Sequence, residues 1–470
     1  MSEEKNYDLV IIGGGPGGYV AAIRAAQSGL TTALIEAREV GGTCLNRGCI
    51  PTKTILHISK MYHDMLKAQS SGIFFENPSY DMNKIHERKD EVIQSLQDGI
   101  VGLLKANGVD TYTGKGQILP NNQVSVSGQD NFIFNAKNIL LAIGATPFVP
   151  EIPGVELTNV VTSNELLEGA QEKINDLIIV GGGVIGSEMA SIYNNLGVNV
   201  TIIESAPRIL PTMVREVSQS LAMSFKQRGI TIYTNATLTE MQETNQKLEA
   251  YFTDKKGEHT LKADKILLAI GRRADLDGVL ADGVELNFDR GIVVDEHFQT
   301  SLPNVYAIGD CVAGNVQLAH VASAQATNVI DRIVGNQPRM NMKLIPSCVY
   351  THPEIAVVGM MEDEAKAAGI NVKSAKYITS GNAKSIIEGQ ERGFIKIIYD
   401  SDLNTIIGAV LFCERATDMI SQLTVSIGLE LSVNDIASFI QPHPSYVEGI
   451  GEALESIFGH AVHVAPTRKR

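Results

Sequence analysis

Cysteine is scarce in this chain, with five among 470 residues: Cys44, Cys49, Cys311, Cys348 and Cys413. Only the first two lie close together, which excludes a disulfide framework; the other three read as small buried hydrophobes. Long apolar runs are missing as well, and stretches such as Ile266–Ile270 are far too short to cross a bilayer. Basic runs are confined to Arg468, Lys469 and Arg470, read as a solvated tail, and the net charge of -14 argues against a nucleic-acid partner. The opening residues, Met-Ser-Glu-Glu-Lys-Asn, are polar and acidic, unlike a secretory signal or a basic transit peptide. These absences leave a globular protein with no membrane or nucleic-acid partner, expected in the cytoplasm. Its hydrophobic content of 44% and charged content of 20% are ordinary for that class. The length allows about three or four domains.

Glycine patterning carries the first positive signal. Tyr7–Ile12 is a short apolar, β-branched run, the pattern of a buried parallel strand. It leads into Gly13-Gly-Gly15-Pro-Gly-Gly18, an alanine-rich helical stretch over Tyr19–Gly29, and a second buried strand, Thr32–Glu36. Gly13-x-Gly15-x-x-Gly18 between strand and helix, with Glu36 eighteen residues on, is a dinucleotide-binding fingerprint. Gly13 makes the tight turn, Gly15 lets backbone approach a pyrophosphate, and Gly18 lets helix pack on strand. The helix N-terminus meets the phosphates, and Glu36 takes ribose hydroxyls.

The same unit recurs. Asp176–Val180 leads to Gly181-Gly-Gly183-Val-Ile-Gly186, a helix from Ser187 and a strand, Val200–Glu204. The three fingerprint glycines and the acid each lie 168 positions beyond their counterparts. Two such units imply two dinucleotides; if one is a flavin and the other a nicotinamide, hydride can pass between them. Glu204 suits a free ribose and would repel a 2′-phosphate, and the next arginine is only Arg208. NAD is therefore the nicotinamide expected.

Between the units, Asn83–Asn107 reads as a long helix whose charge run, Glu87 to Glu91, is a solvated face. Thr111–Gly116 and Val124–Phe134 form a small strand insertion, and Asn138–Ile143 is a buried strand stopped by Gly144 and Pro147. Pro150, Pro153 and Gly154 mark a boundary. Lys265–Ile270 with Gly271 closes the second unit in the same way. Thr300–Ile308 is again a strand, running into Gly309-Asp310 before a helix, Ala319–Ile330. Asp310 either accepts bonds from sugar hydroxyls or caps a helix. From Ser347 the pattern becomes α+β, with strands at Tyr350–Gly359 and Gly393–Tyr399 and helices at Met361–Gly369 and Ala416–Glu430.

Two constellations carry chemistry. Gly41–Lys53 reads Gly-Gly-Thr-Cys44-Leu-Asn-Arg-Gly-Cys49-Ile-Pro-Thr-Lys53, and a helical turn between the sulfurs would let them close a disulfide. Following directly on a dinucleotide unit, this reads as a redox pair beside a two-electron carrier. Near the far end, His443 stands between Pro442 and Pro444, with Glu448 opening a helix. That pair either orients an imidazole as a base or only ties down a loop.

Together these motifs resemble the pyridine nucleotide–disulfide oxidoreductases over essentially the whole chain. Ile50-Pro51-Thr52-Lys53 looks like the lipoamide-oxidising members, where glutathione-type reductases tend to carry Pro-Lys-Lys. Gly181–Gly186 with Glu188 and Glu204 is similar to the NAD-using form. Thr300–Asp310 resembles the second FAD motif, and His443-Pro-Ser-Tyr-Val-Glu448 resembles the catalytic His-Pro-Thr-x-x-Glu. The resemblance implies an α/β fold of two Rossmann-like domains plus a C-terminal α+β dimerisation domain. Its boundaries would be an FAD domain at 1–148, an NAD domain at 149–272, a central domain completing the FAD site at 273–346, and an interface domain at 347–470. It implies FAD bound through Gly13, Gly15, Gly18, Glu36, Thr43, Lys53, Gly116, Gly144, Asp310 and Ala319. NAD would be bound through Gly181, Gly183, Gly186, Glu188, Glu204 and Gly271, and no metal is expected.

The chemistry implied runs from a dihydrolipoyl group on a carrier protein of a 2-oxo-acid dehydrogenase type complex to NAD+. His443, held by Glu448 and contributed by the second subunit of a homodimer, deprotonates the dithiol. The thiolate attacks Cys44, Cys49 leaves on the flavin side, and Lys53 pairs with Glu188 near the flavin. Three departures from the family pattern stand out: Arg47 where a small residue is commoner, Ala274-Asp275 for Pro-Asn, and Gln441-Pro442 ahead of the histidine. The alternatives are another FAD-dependent NAD(P)H–disulfide reductase and a non-enzymatic flavoprotein; the latter would need to have lost a cysteine or the His–Glu pair.

Overall fold

Strand β1 (Lys5–Ile12) is buried on both faces, as its unbroken apolar run requires. Around it the computed structural model describes residues 5–169, 173–390 and 392–464; the Arg468–Arg470 tail lies outside them. Two compact units are present, the first comprising Met1–Gly181, Asn195–Asn199 and Leu238–Met342. In it β1 pairs in parallel with β2 (Thr32–Glu36), and α1 (Pro16–Gln27) connects them. Beyond β2, strands β3 (Asp110–Leu119), β4 (Gln123–Gly128) and β5 (Phe132–Leu141) run as a meander that brings β5 back alongside β1. The strand expected at Asn138–Ile143 is thus the second half of a longer one. Phe132–Asn135 pair with β4, Phe134–Leu141 with β1, and Ile139–Leu141 also with Val305–Ala307. That last strand is shorter than the Thr300–Ile308 expected, because the Thr300 hydroxyl turns back to the Val305 carbonyl.

Alternation along the strands sorts the core into two layers. Leu9 and Ile11 pack with Ala21, Ala22 and Ala25 of α1 and with Ala326, Val329 and Ile330 of the helix Ala319–Ile333. Val10, Ile12 and Ile35 face the other way, onto Tyr7, Tyr112, Phe134 and Ile139. The same unit holds α2 (Gly42–Arg47), α3 (Cys49–Lys67), α4 (Met82–Ala106) and α5 (Ser163–Glu168). Helix α4 corrects one expectation. Glu87, Arg88 and Glu91 are exposed, but Lys89 is only 1% exposed, because the helical period sets it between Ile85 and Ile93 on the inward face. Its Nζ donates to the Leu167 carbonyl at 2.8 Å and pairs with Asp90. The strand Lys265–Leu268 lies between Val160–Thr162 and Asp176–Val180, parallel to both.

The second unit comprises Gly182–Asn194, Val200–Thr237 and Lys343–Arg470. It contains all but the last residue of α6 (Val184–Asn195), which begins three residues ahead of the Ser187 expected, and a parallel pair in which Thr201–Glu204 lie against Thr231–Thr234. Its largest sheet runs Ser347–Val349, Ile355–Gly359, Thr405–Phe412, Phe394–Asp400, Val372–Ile378, antiparallel throughout. Of the strand expected at Tyr350–Gly359 only Ile355–Gly359 forms, because Thr351–Glu354 reverses the chain and sets it antiparallel to Ser347–Val349. Helices Ala416–Gly428 and Glu448–Phe458 cover the sheet, with Ile420, Leu423, Ile450 and Leu454 against Val358, Ile395, Ile397 and Leu411. Cys311 and Cys413 are buried as expected, and Cys348 is half-buried. Among the described residues no helix is long and apolar enough to cross a membrane.

Candidate active site

At the end of β1 the chain turns through Gly13, whose φ is +103°; a Cβ there would collide with the Ala142 carbonyl, and one at Gly18 would collide with the Gly13 carbonyl. Gly15 precedes α1 without a side-chain cap, and Pro16 follows it, so the first N–H groups of a twelve-residue helix stay open to an anion. Glu36 closes the turn: Oε2 accepts the Gly14 N–H at 2.6 Å and Oε1 the Arg38 N–H at 2.8 Å.

The repeat reproduces this in atomic detail. Gly181 has φ +102°, and its Cβ would collide with the Ala269 carbonyl. In the second unit, Glu204 accepts the Gly182 N–H at 2.7 Å and the Ala206 N–H at 2.6 Å. Gly183 has open space where a Cβ would point, Gly186 is buried in α6, and buried Glu188 accepts the Tyr350 N–H at 3.0 Å.

The cysteine segment rests on the first turn. Gly42 has φ +57°, and a Cβ there would lie 2.6 Å from Cα of Gly15, so backbone packs on backbone. Cys44 sits in α2 and Cys49 opens α3, with Gly48 between the helices; a Cβ on Gly48 would lie 2.9 Å from the Thr43 carbonyl. Both cysteines are half-buried thiols. The hydrogen bond with Cys49, then burial, push the Cys44 pKa upward, against the pull of the Lys53 charge. Sequence reasoning gave no role to Arg272. Its strand pairs with Thr146–Pro147, and its Nη2 donates to the Ala145 carbonyl at 2.6 Å and lies 3.4 Å from the Thr43 hydroxyl. Burial lowers its pKa, opposed by the negative charges of Asp310 and Cys49. The repeat held a signal for it: Leu-Leu-Ala-Ile-Gly occurs twice, followed once by Ala145 and once by Arg272.

Asp310 lies in a 3-10 turn, Gly309–Cys311, and the helix Ala319–Ile333 is preceded by Leu318. That removes the capping alternative. Burial pushes its carboxyl pKa up against the nearby Arg272, and among the described residues no hydrogen bond reaches the carboxylate. The turn is held by residues the sequence did not single out. Gln325 Oε1 accepts the Gly309 N–H at 2.7 Å, and Asn315 Nδ2 donates to the Gly309 carbonyl at 2.8 Å. Ala319 opens its helix without a side-chain cap, a Cβ on Gly116 would press on Ile12, and Gly144 and Gly271 take positive φ in open turns. An open helix N-terminus, a carboxylate lacking donors and turns only glycine can make fit FAD in the first unit. The repeated turn and the acid Glu204 fit NAD.

In the second unit, His443 Nδ1 lies 2.8 Å from Glu448 Oε1, and Glu448 Oε2 accepts the Ser445 N–H at 2.8 Å. Burial pushes the Glu448 carboxyl up, but the Ser445 N–H and His443 outweigh it and hold it below the usual range. With Nδ1 engaged, Nε2 is the ring nitrogen left to take a proton. One helical turn on, Glu452 holds His463 in the same manner, Nδ1 at 2.7 Å and its own N–H at 3.0 Å. This second pair went unread in the sequence; the i,i+4 spacing of Glu448 and Glu452 on one helix was its signal.

Known proteins resemble this chain over nearly its whole length. Residues 7–326 match the pyridine nucleotide-disulphide oxidoreductase family, and residues 345–454 match its dimerisation domain. Dihydrolipoyl dehydrogenase of Bacillus subtilis is 39% identical, with 97% of this chain and 99% of that protein covered. Its counterpart in Chlamydia pneumoniae is 36% identical, with 99% and 100% covered. Among solved structures, LpdA from Mycobacterium tuberculosis superposes with a TM-score of 0.87 at 26% identity, covering 96% of this chain and 99% of that one. The HOCl-induced flavoprotein disulfide reductase RclA from Escherichia coli, as its Cu(II) complex, gives 0.85 at 27% identity, covering 96% and 100%. The chain belongs to the pyridine nucleotide-disulphide oxidoreductases and is an enzyme that uses FAD and NAD(H).

Proposed function

We propose that this protein is a dihydrolipoyl dehydrogenase, oxidising dihydrolipoyl groups on a carrier protein to lipoyl with NAD+ as acceptor. The observation that carries the reading is the thiol pair Cys44–Cys49 packed, through Gly42, on the Gly13–Gly18 turn. Bound FAD and NAD supply the electron acceptors; the chain's own residues do the sulfur chemistry. His443, oriented by Glu448, takes a proton from the substrate dithiol. The resulting thiolate attacks Cys44 of the oxidised pair, and Cys49 leaves as a thiolate. The second substrate sulfur closes the product disulfide and expels Cys44, so two electrons pass to the enzyme pair. Arg272 sets positive charge near Cys49, where negative charge develops, and the Lys53 charge bears on Cys44.

The protein works as a homodimer in which His443 acts on the partner's cysteines, and it serves a 2-oxo-acid dehydrogenase type complex. The family's dimerisation domain supports the first part, as do exposed Phe439 and Ile440 just ahead of the His443 loop. The deciding assay compares dihydrolipoamide plus NAD+ with glutathione disulfide plus NADPH. Turnover of the first pair alone is expected. Turnover of only the second would replace this reading with that of a disulfide reductase.

A further inference from the structure

Helix α2 carries Cys44, and its backbone is tied down at its start, where the Gly41 N–H donates to the Gly14 carbonyl at 2.8 Å and Gly42 packs on Gly15. Its six residues are too few for a helix to persist by itself. Gly41 and Gly48 flank it and Gly42 opens it, and glycine restrains the backbone least of all residues. At its far end, past Cys44, the anchors are side chains. Asn46 is one anchor, donating to the carbonyls of Val40 at 3.1 Å and Gly42 at 2.9 Å, and accepting from Gln97 of α4.

Arg47 is the other. It is 7% exposed, with Nε 2.6 Å from Glu168 Oε1 and Nη2 2.6 Å from Glu39 Oε2. Glu39 lies in the loop leading to α2, and Glu168 ends α5, whose Leu167 carbonyl is itself pinned by buried Lys89. The guanidinium thus bridges two fixed points one helical turn after Cys44 and two residues before Cys49. A lysine, with a single point charge, cannot hold both carboxylates in that fork.

We propose that Arg47 is a positioning residue for the redox pair: by bridging Glu39 and Glu168 it fixes α2 and sets how closely the Cys44 sulfur is held to that of Cys49. It thereby governs the balance between dithiol and disulfide. The exchange itself is balanced: an external disulfide takes two electrons and two protons from the dithiol as the Cys44–Cys49 bond forms. The inference rests on the reading of Cys44 and Cys49 as the redox pair.

The test uses the full-length, FAD-bound protein as wild type, Arg47→Met and Arg47→Lys. Methionine keeps the apolar stem, and Glu39 and Glu168, with side chains 49% and 41% exposed, fall back on water, so folding is not at stake. Each protein is equilibrated in glutathione buffers of set ratio, and its thiols are trapped and counted by mass spectrometry. In parallel, the alkylation rate of Cys44 by iodoacetamide, the melting temperature and the FAD content are measured. Arg47→Met is expected to keep FAD, to shift the disulfide-to-dithiol ratio about tenfold toward dithiol and to alkylate Cys44 faster. Arg47→Lys should fall between Arg47→Met and wild type. Redox balance and alkylation unchanged in Arg47→Met would overturn the proposal, as would a fall in melting temperature with no redox shift. A wild type that forms no Cys44–Cys49 disulfide at any ratio would instead sink the redox reading beneath it.

Discussion

Glu448→Gln keeps the shape of the side chain and exchanges one acceptor for a donor. Glu448 accepts twice, from His443 Nδ1 and from the Ser445 N–H, both at 2.8 Å. Glutamine has one oxygen for these two donors. Turned toward Ser445, its NH2 meets Nδ1; the ring must then carry its proton on Nε2, and no acceptor remains for a thiol proton. Turned toward His443, its NH2 faces the Ser445 N–H, an opposition of donors costing about 1–3 kcal/mol. Either way the charge that steadies an imidazolium is gone. The His443 side chain is 72% exposed, so water makes up part of the loss. We expect kcat for dihydrolipoamide oxidation to fall about 10- to 100-fold, with KM within about twofold. Since Glu448 is held below the usual carboxylate range, the wild-type carboxylate stays ionised, and the deficit should persist across neutral pH. The assay is steady-state kinetics over a pH series. A kcat within about twofold of wild type, or a loss confined to KM, would reduce Glu448 to a tie for its loop.

Three further outcomes are expected. Cys49→Ser should abolish the long-wavelength absorbance of the half-reduced protein, whereas Cys44→Ser should keep it; the reverse pattern would exchange the two sulfurs' roles. Gly42→Ala carries both a left-handed φ and a Cβ 2.6 Å from Gly15, while Gly29→Ala carries only the φ, with nothing within 4 Å. The first should therefore cost about 1–3 kcal/mol more than the second in urea-induced flavin release, and equal midpoints would refute the close approach. Asp8 is held at about 2 by Lys137, with Thr31 adding its N–H and O–H. Its folded pKa lies below the unfolded value of about 3.9, so the stabilisation is present above that pH and is lost as pH falls through about 2. Asp8→Asn should cost about 1 kcal/mol at neutral pH, discounted because Lys137 is exposed; a gap that stays constant down to pH 2 would contradict the assignment.

What the sequence alone determined is the set of local devices. The two glycine turns, the acids Glu36 and Glu204, the cysteine segment and the His443–Glu448 pair were legible because each works over a few residues, where spacing dictates geometry. Their duplication at a fixed interval gave the α/β class and two dinucleotides. The tertiary structure decided which distant residues meet them. Arg272 comes to Thr43 across 229 positions, carried there by strand pairing that no local pattern encodes. Lys89 looked like part of a solvated charge run, and only the packing of α4 shows it turned inward to α5. Asp310 remained poised between cap and ligand until a 3-10 turn, held by Gln325 and Asn315, separated it from its helix. Arg47 read as a departure from pattern, and its meaning lies in Glu39 and Glu168, one of them 121 positions away. A motif is set by the backbone between its own residues; the charges that surround it are set by the fold.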